Sequence, residues 1–473
     1  MKRIFRKISP IFLCIFLPAL AAGHWACGAK PLPRSTNAAR EREQRRRLYP
    51  LSSESKPRQP AAPKTKLIER TPAPAASISS KTDVAEAHAK IVSVRPPAAV
   101  DRQPVAALPS HPDLTFQKNA AGEREAVYRL KKGEALYSAV VVRFTGRVDA
   151  DEVNAIAQKL LAYNGLRDAT KIVDGAPIRI PARLLDEDIL RGKVPPPRPI
   201  KPATRPRRQS RSGLHVILDA GHGGSDPGTM MRGWIEDEIA YDLMLRIKHG
   251  LQDRGVKVYS TIRDKQTGDQ INSGSALANN RDEYVKVTPE YYMDDSRVAL
   301  NLRIYLIEDL YRWMLRRGVP PENIILISIH LDHLHPALGG AMVYFPGAAE
   351  RSSQYKAAGG IYRYYKESRL GTIYFNHRES QNAETASEAF AFDLIDGFRR
   401  AQIPVHAYQP VRSYVYRQDH KWTPGIIRYS RVPISVLLEA ANLSNRDDLW
   451  RIRSASFRQK LADAVVRTIV AQE

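Results

Sequence analysis

Three short apolar runs constrain this chain more than any other feature. LHVILDA (214–220), NIILISI (323–329) and ISVLLE (434–439) are dense in aliphatic and β-branched residues and bounded by polar sequence. Runs of this length and make-up read as strands buried on both faces. Each also reaches a residue that can ligate or titrate: His222 follows the first, His330 the second, and Glu439 ends the third. Two further runs, VKVYSTI (256–262) and GAMVYF (340–345), have the same character. Helical spacing lies between them, first in IEDEIAYDLMLRIKHGLQDRG (235–255), which Gly255 closes, then at 296–316, 381–401 and 453–471. The alternation predicts an α/β domain over 213–473, with a mixed, mostly parallel twisted sheet flanked by helices. Sites in such sheets form outside the carboxyl ends of the strands. If the three runs are neighbours, their three terminal residues share one rim.

The residue types at that rim suggest a chemistry. The glycine loop AGHGGSDPG (220–228) presents His222, and Glu236 opens the helix that follows. Two imidazoles (His222, His330) and a carboxylate (Glu236) are the ligand set of a catalytic zinc with its fourth position left for water. Zinc lowers the pKa of that water and polarises a carbonyl. A carboxylate off the metal must then take and return the proton, and Glu439 is available. Spacing alone leaves this open. A histidine after a strand is more often structural, and the compact H-E-x-x-H helix is missing.

AGHGGSDPG, the acid opening the next helix, SIH (328–330) and PISVLLEAANLSN (433–445), taken in order, resemble the zinc-dependent N-acetylmuramoyl-L-alanine amidases. The resemblance covers about 214–470. It implies a zinc hydrolase that cuts the amide between the lactyl group of muramic acid and the L-alanine of the peptide stem. It makes His222, Glu236 and His330 the zinc ligands, and Glu439 the base and later the proton donor to the leaving amine. Glu236 is preferred to Glu238 because the family's acid begins its helix about 19 residues before the closing glycine. Glu238 is then a solvated acid of the first turn, favoured by the helix dipole. Asp226-Pro227-Gly228 shapes the loop.

The sequence departs from the family on the substrate side. Leu331-Asp332 follows SIH in place of Ala-Asn, and Ala441-Asn442 replaces Gly-Phe near Glu439. Asp332 and Asn442 are therefore candidate substrate-binding residues. Arg303, in NLRIYLIEDL, matches a family arginine and is either structural or substrate-facing. His333 and His335 make HLDHLH (330–335) look like a denser metal cluster, and their alternative role is as rim histidines away from zinc. Extra sequence falls at about 264–295, 346–380 and 405–425. The second of these holds YKAAGGIYRYYKESRL (355–370), where some relatives carry a helix that covers the zinc until a protein activator removes it. Such an activator is an expected partner if the insert is inhibitory.

The N-terminal third reads differently. Residues 1–27 have a basic start, an apolar stretch and Ala19-Leu20-Ala21, the order of a secretory signal. The apolar stretch is short for a membrane span. Export to the periplasm or cell envelope is expected. Membrane attachment is expected only if the signal is retained or Cys27 carries lipid, as in a lipoprotein, although His24-Trp25-Ala26 fits lipidation poorly. Cys14 and Cys27 are the only cysteines, so no disulfide framework follows. Residues 28–125 form a disordered Pro/Ala/basic tether and 185–212 a Pro-rich basic linker. Between them, 126–184 reads as strand, helix, helix, strand. With Tyr128, the Lys132-to-Leu136 stretch, Asn164-Gly165-Leu166, Gly175 and Ile180-Pro181, it is similar to a LysM module, a small βααβ domain that binds N-acetylglucosamine chains. The net charge of +23 points to an anionic partner. Much of it lies in the linkers, and with an export signal and no nucleic-acid motif the expected partner is peptidoglycan, not nucleic acid.

Overall fold

The computed structural model describes residues 109–192 and 213–471, apart from 275, 276, 278, 279 and 418. The signal at 1–27, most of the tether and most of the linker lie outside the described residues.

The first folded segment is a small module. Strands β1 (Thr115–Lys118) and β2 (Arg124–Arg129) pair antiparallel, and β2 pairs antiparallel with β3 (Pro177–Pro181). Between β2 and β3 run a π-helical turn over Leu136–Val142 and helix α1 (Ala150–Tyr163). Asp149 caps α1 by accepting from the Asp151 and Glu152 amides, and Val153, Ile156, Ala157, Leu160 and Leu161 form its buried stripe. The βααβ order holds, but β1 lies upstream of the boundary at 126, so the tether ends earlier than expected and the sheet has a third strand. Chain beyond β3 also belongs here, in α2 (Glu187–Leu190).

The larger domain is built on six strands: β4 (His215–Ala220), β5 (Lys257–Ser260), β6 (Ile324–Asp332), β7 (Met342–Tyr344), β8 (Val411–Arg412) and, after a hairpin, β11 (Ile434–Asn442). Their order is β8-β7-β11-β6-β4-β5. β5, β4, β6 and β11 are mutually parallel, and β7 runs antiparallel to β11. This is the mixed, mostly parallel sheet expected from the strand–helix alternation. Helices α3 (Glu236–Gln252), α5 (His377–Arg400) and α6 (Ala455–Val470) pack together on one side. Helix α4 (Ser296–Arg316) lies on the face toward which Asp219 points, and its Arg303 donates to the Ala220 carbonyl.

One buried ion cluster ties α3 to α6. The Asp242 carboxylate accepts from Arg246 Nε at 2.8 Å and from Arg458 Nε at 2.6 Å, and Arg458 is fully buried. Arg458 also donates to the carbonyls of Ile452, Arg453 and Gly274, so this desolvated guanidinium is satisfied.

The extra sequence at 346–380 does not cover the rim. Tyr355 and Tyr362 hydrogen-bond Asn301 on α4, Tyr355 stacks on Tyr429, and Glu367 accepts from both the amide and the hydroxyl of Thr288. Tyr355 and Tyr362 thus dock on the flank of α4, and no residue of 346–380 is among those that line the cleft. Among the described residues, the helix α4, the hairpin before β11 and the small module supply the outer walls of the cleft at the rim instead.

Candidate active site

Parallel pairing builds the site. β6 lies between β4 and β11, and the register places His330 opposite Glu439. Register partners on parallel strands point to the same face, so both side chains leave the sheet together. The chain leaving β4 turns at once into the glycine loop. His222 takes a left-handed conformation, φ 60°, which swings its ring back over the strand ends. The glycines make the approach possible: a Cβ on Gly221 would overlap the His330 ring, and one on Gly228 would lie 2.7 Å from Glu236 Oε2 and 2.8 Å from the His222 ring.

Glu236, the first residue of α3, completes the group. Its Oε1 is 3.1 Å from His222 Nε2 and 3.2 Å from His330 Nδ1. Donor atoms of the three residues all lie within 4.8 Å of one another. The Leu331 amide donates to Oε1 and the Thr229 amide to Oε2, which fixes the carboxylate. His222 Nδ1 lies 3.1 Å from Asp226 Oδ2. Asp226 therefore places a carboxylate against the Nδ1 side of this ring as well as shaping its loop, although Nδ1 lacks the geometry of a hydrogen bond to it. Burial works against a charged His222, but Asp226 and Glu236 outweigh it and lift its pKa to about 10. Burial raises the Glu236 pKa as well, yet His222 and His330 hold it well below the usual range. The pocket is thus built to hold positive charge. Two imidazole nitrogens and an anchored carboxylate, open to a cleft of about 1310 Å³, suit a zinc ion.

Glu439 stands beside this group and outside it. Its Oε2 is buried and has no hydrogen-bond partner among the described residues, a state that costs free energy unless water or substrate is present. Burial, then the charges of Asp332 and Glu236, push its carboxyl well above the ordinary range, while Arg417 opposes them. Asp332 also lines the cleft, and burial and Glu236 raise it too.

Three other readings change. Asn442 does not line the cleft. Its Oδ1 accepts from the Leu334 and Ser444 amides and its Nδ2 donates to the Leu338 and His335 carbonyls, so its amide is used on the 334–338 loop and on the turn that follows β11. Arg303 lies at the cleft but is committed to β4, at 2.9 Å from the Ala220 carbonyl and 3.5 Å from Asp219. Glu238 is buried, not solvated, and accepts from the Asn280 amide. His333 meets Ser444, and His335 stacks on Tyr137 with ring centroids 4.5 Å apart, so neither joins the cluster.

Sequence reasoning missed two walls. One is the hairpin of β9 (Val415–Arg417) and β10 (His420–Trp422), which brings Arg417 and Trp422 to the cleft. Its period-2 pattern, VYRQDHKW, was the available signal. The other is the small module, whose Val148 and Asp149 line the same cleft and whose Asp149 bridges to Leu334.

Fold and site together place a candidate metal group, and beside it a buried carboxylate oxygen without a partner among the described residues, at the carboxyl edge of a mixed α/β sheet. Comparison with known proteins narrows the class: residues 216–288 match the family model described as N-acetylmuramoyl-L-alanine amidase. That match covers the glycine loop and the start of α3, and so includes His222 and Glu236 but not His330 or Glu439. No curated protein matches the chain in sequence. Among solved structures, it is similar to the N-acetylmuramyl-L-alanine amidase Ami1 from Mycobacterium smegmatis, at 20% identity and TM-score 0.34, covering 55% of this chain and 96% of that one. AmiC2 of Nostoc punctiforme gives 16% identity and TM-score 0.32, covering 55% and 96%. The CwlD amidase of Clostridioides difficile, solved in complex with the GerS lipoprotein, gives 18% and 0.33, covering 55% and 98%.

Proposed function

We propose that this protein is an exported, zinc-dependent amidase that frees stem peptides from muramic acid during wall remodelling or daughter-cell separation. The observation that carries the zinc reading is the convergence of His222, Glu236 and His330, with the unpartnered Glu439 carboxylate beside them. His222, Glu236 and His330 hold the ion. When bound, zinc supplies Lewis acidity, which polarises the lactyl carbonyl and acidifies water. Glu439 takes the proton from the attacking water and returns it to the L-alanine nitrogen as the amide breaks. Its raised proton affinity suits a group that must hold a proton between the two transfers. Asp226 keeps the His222 ring oriented, and Arg303 keeps the end of β4 in place.

The small module is the proposed LysM-like contact with the glycan, and the segment at 1–27 the proposed route of export to the periplasm or cell envelope. Among the described residues no helix is long and apolar enough to cross a membrane. The test is digestion of purified peptidoglycan, with new ends identified by mass. Release of stem peptides beginning at L-alanine supports the reading, and cuts inside the glycan or the stem contradict it.

A further inference from the structure

The β9–β10 hairpin carries a cation into the cleft that the proposed chemistry does not use. Alternation along the hairpin puts Val415, Arg417 and Trp422 on one face, and all three line the cleft. Behind them, Lys421 pairs with Asp188 of the small module at 3.4 Å. The Tyr414 hydroxyl donates to the Asp186 and Asp188 carboxylates. Arg147 of the module pairs with Asp419 and stacks over the Tyr416 ring. The module therefore braces the hairpin, and its own Val148 and Asp149 continue the wall of the cleft beside it.

Arg417 is held in place, and its charge acts on Asp332 and Glu439 without an ion pair to either. Its guanidinium lies over the Trp422 ring, 3.6 Å from the centroid. Stacking of this kind fixes the plane of the fork and leaves its edge donors free. Among the described residues no carboxylate forms an ion pair with it. Arg303 turns its Nη1 to the Ala220 carbonyl and Asp219 of β4, and Arg297, which also lines the cleft, has no aromatic ring to hold it among the described residues. The floor beneath Arg417 is acidic, with Glu236, Asp332 and Glu439. An anionic group on a bound substrate is repelled from that floor and attracted to the fork at the rim.

We propose that Arg417 is a specificity-determining residue that binds a carboxylate of the stem peptide, next to the scissile amide, and so sets the direction in which the stem lies. This rests on the amidase reading. A planar fork fits a carboxylate with two parallel hydrogen bonds, a match that a sugar hydroxyl or a neutral amide does not offer.

The experiment compares muramoyl-L-alanyl-D-glutamate, with its free α-carboxylate, against the same compound amidated at that position, for the full chain and for Arg417→Ala and Arg417→Lys. The expected result is a lower KM for the acid than for the amide in the unmodified protein. Arg417→Ala raises KM for the acid by about tenfold, the effect of one charge-assisted pair, and leaves KM for the amide unchanged, while any change in kcat through the nearby Glu439 is shared by both substrates. Arg417→Lys recovers part of the loss. An equal rise in KM on both substrates, or no change in KM on either, overturns the proposal. If the unmodified protein releases L-alanyl ends from neither compound nor from whole wall, the amidase reading fails and this inference with it.

Discussion

His330 and Glu439 are register partners on adjacent parallel strands. That pairing puts a candidate metal ligand and a candidate base on one face of the sheet, side by side at its carboxyl edge. The two roles are separable, because Glu439 is not among the residues whose donor atoms cluster. Glu439→Gln is expected to lower amide cleavage by about 10²–10⁴-fold, the usual contribution of a positioned proton-transfer group. Metal analysis of the purified variant should return the same zinc content as the unmodified protein. Full activity, or loss of zinc, contradicts the assignment.

Asp226 acts through His222. Its Oδ2 lies 3.1 Å from His222 Nδ1, which leaves Nε2 directed toward Glu236. Asp226→Ala should weaken zinc binding by about 10–100-fold, as loss of a ligand's carboxylate support does elsewhere. Competition with a chromogenic chelator measures this directly, and an unchanged affinity shows that the contact is incidental.

Asp242 holds two arginines that would otherwise be buried cations without a partner. Asp242→Ala leaves Arg246 and the fully buried Arg458 unpaired on that side. The expected cost is about 3–5 kcal/mol of stability, read by urea unfolding with the slope checked for a change in the denatured state. A loss below about 1 kcal/mol would show that water replaces the carboxylate.

His406 gives the fold a pH dependence of known sign. It is buried, its Nδ1 meets the Tyr408 carbonyl at 2.5 Å, and its Nε2 has no hydrogen-bond partner among the described residues. Burial, then the Arg412 charge, push its pKa down to about 3. In the unfolded chain the value is about 6.5. A depressed histidine contributes stability that is fully present above the unfolded pKa and lost as pH falls toward the folded one. Stability should therefore decline between about pH 6.5 and pH 3, and the decline should be shallower in His406→Leu. Parallel curves for the two proteins would refute this.

Much of the catalytic domain was legible in the sequence because its strands carry their pattern locally. LHVILDA, NIILISI and ISVLLE lie within β4, β6 and β11 or within a residue of their ends, and helix α4 spans the segment read at 296–316. His222, Glu236 and His330 could be placed at one rim because each stands at the end of such an element. What stayed hidden depends on contacts between distant segments. Asn442 has the residue type of a substrate contact, and only the path of the 334–338 loop shows that its amide is fully used. The insert at 346–380 has the length of a lid, and only the tyrosines' partners on α4 show where it lies. Arg417 is one charge among many until Trp422 and the module behind the hairpin fix its position.

The central claim is that this cleft cuts the bond between muramic acid and L-alanine with a metal held by His222, Glu236 and His330. The most direct measurement digests purified peptidoglycan with the full chain, before and after chelation, and identifies every new end by mass. The account predicts free L-alanyl amino termini and lactyl carboxylates, abolished by the chelator and restored by zinc. Ends at any other bond, or cleavage that persists at full rate after the metal is stripped, would contradict it.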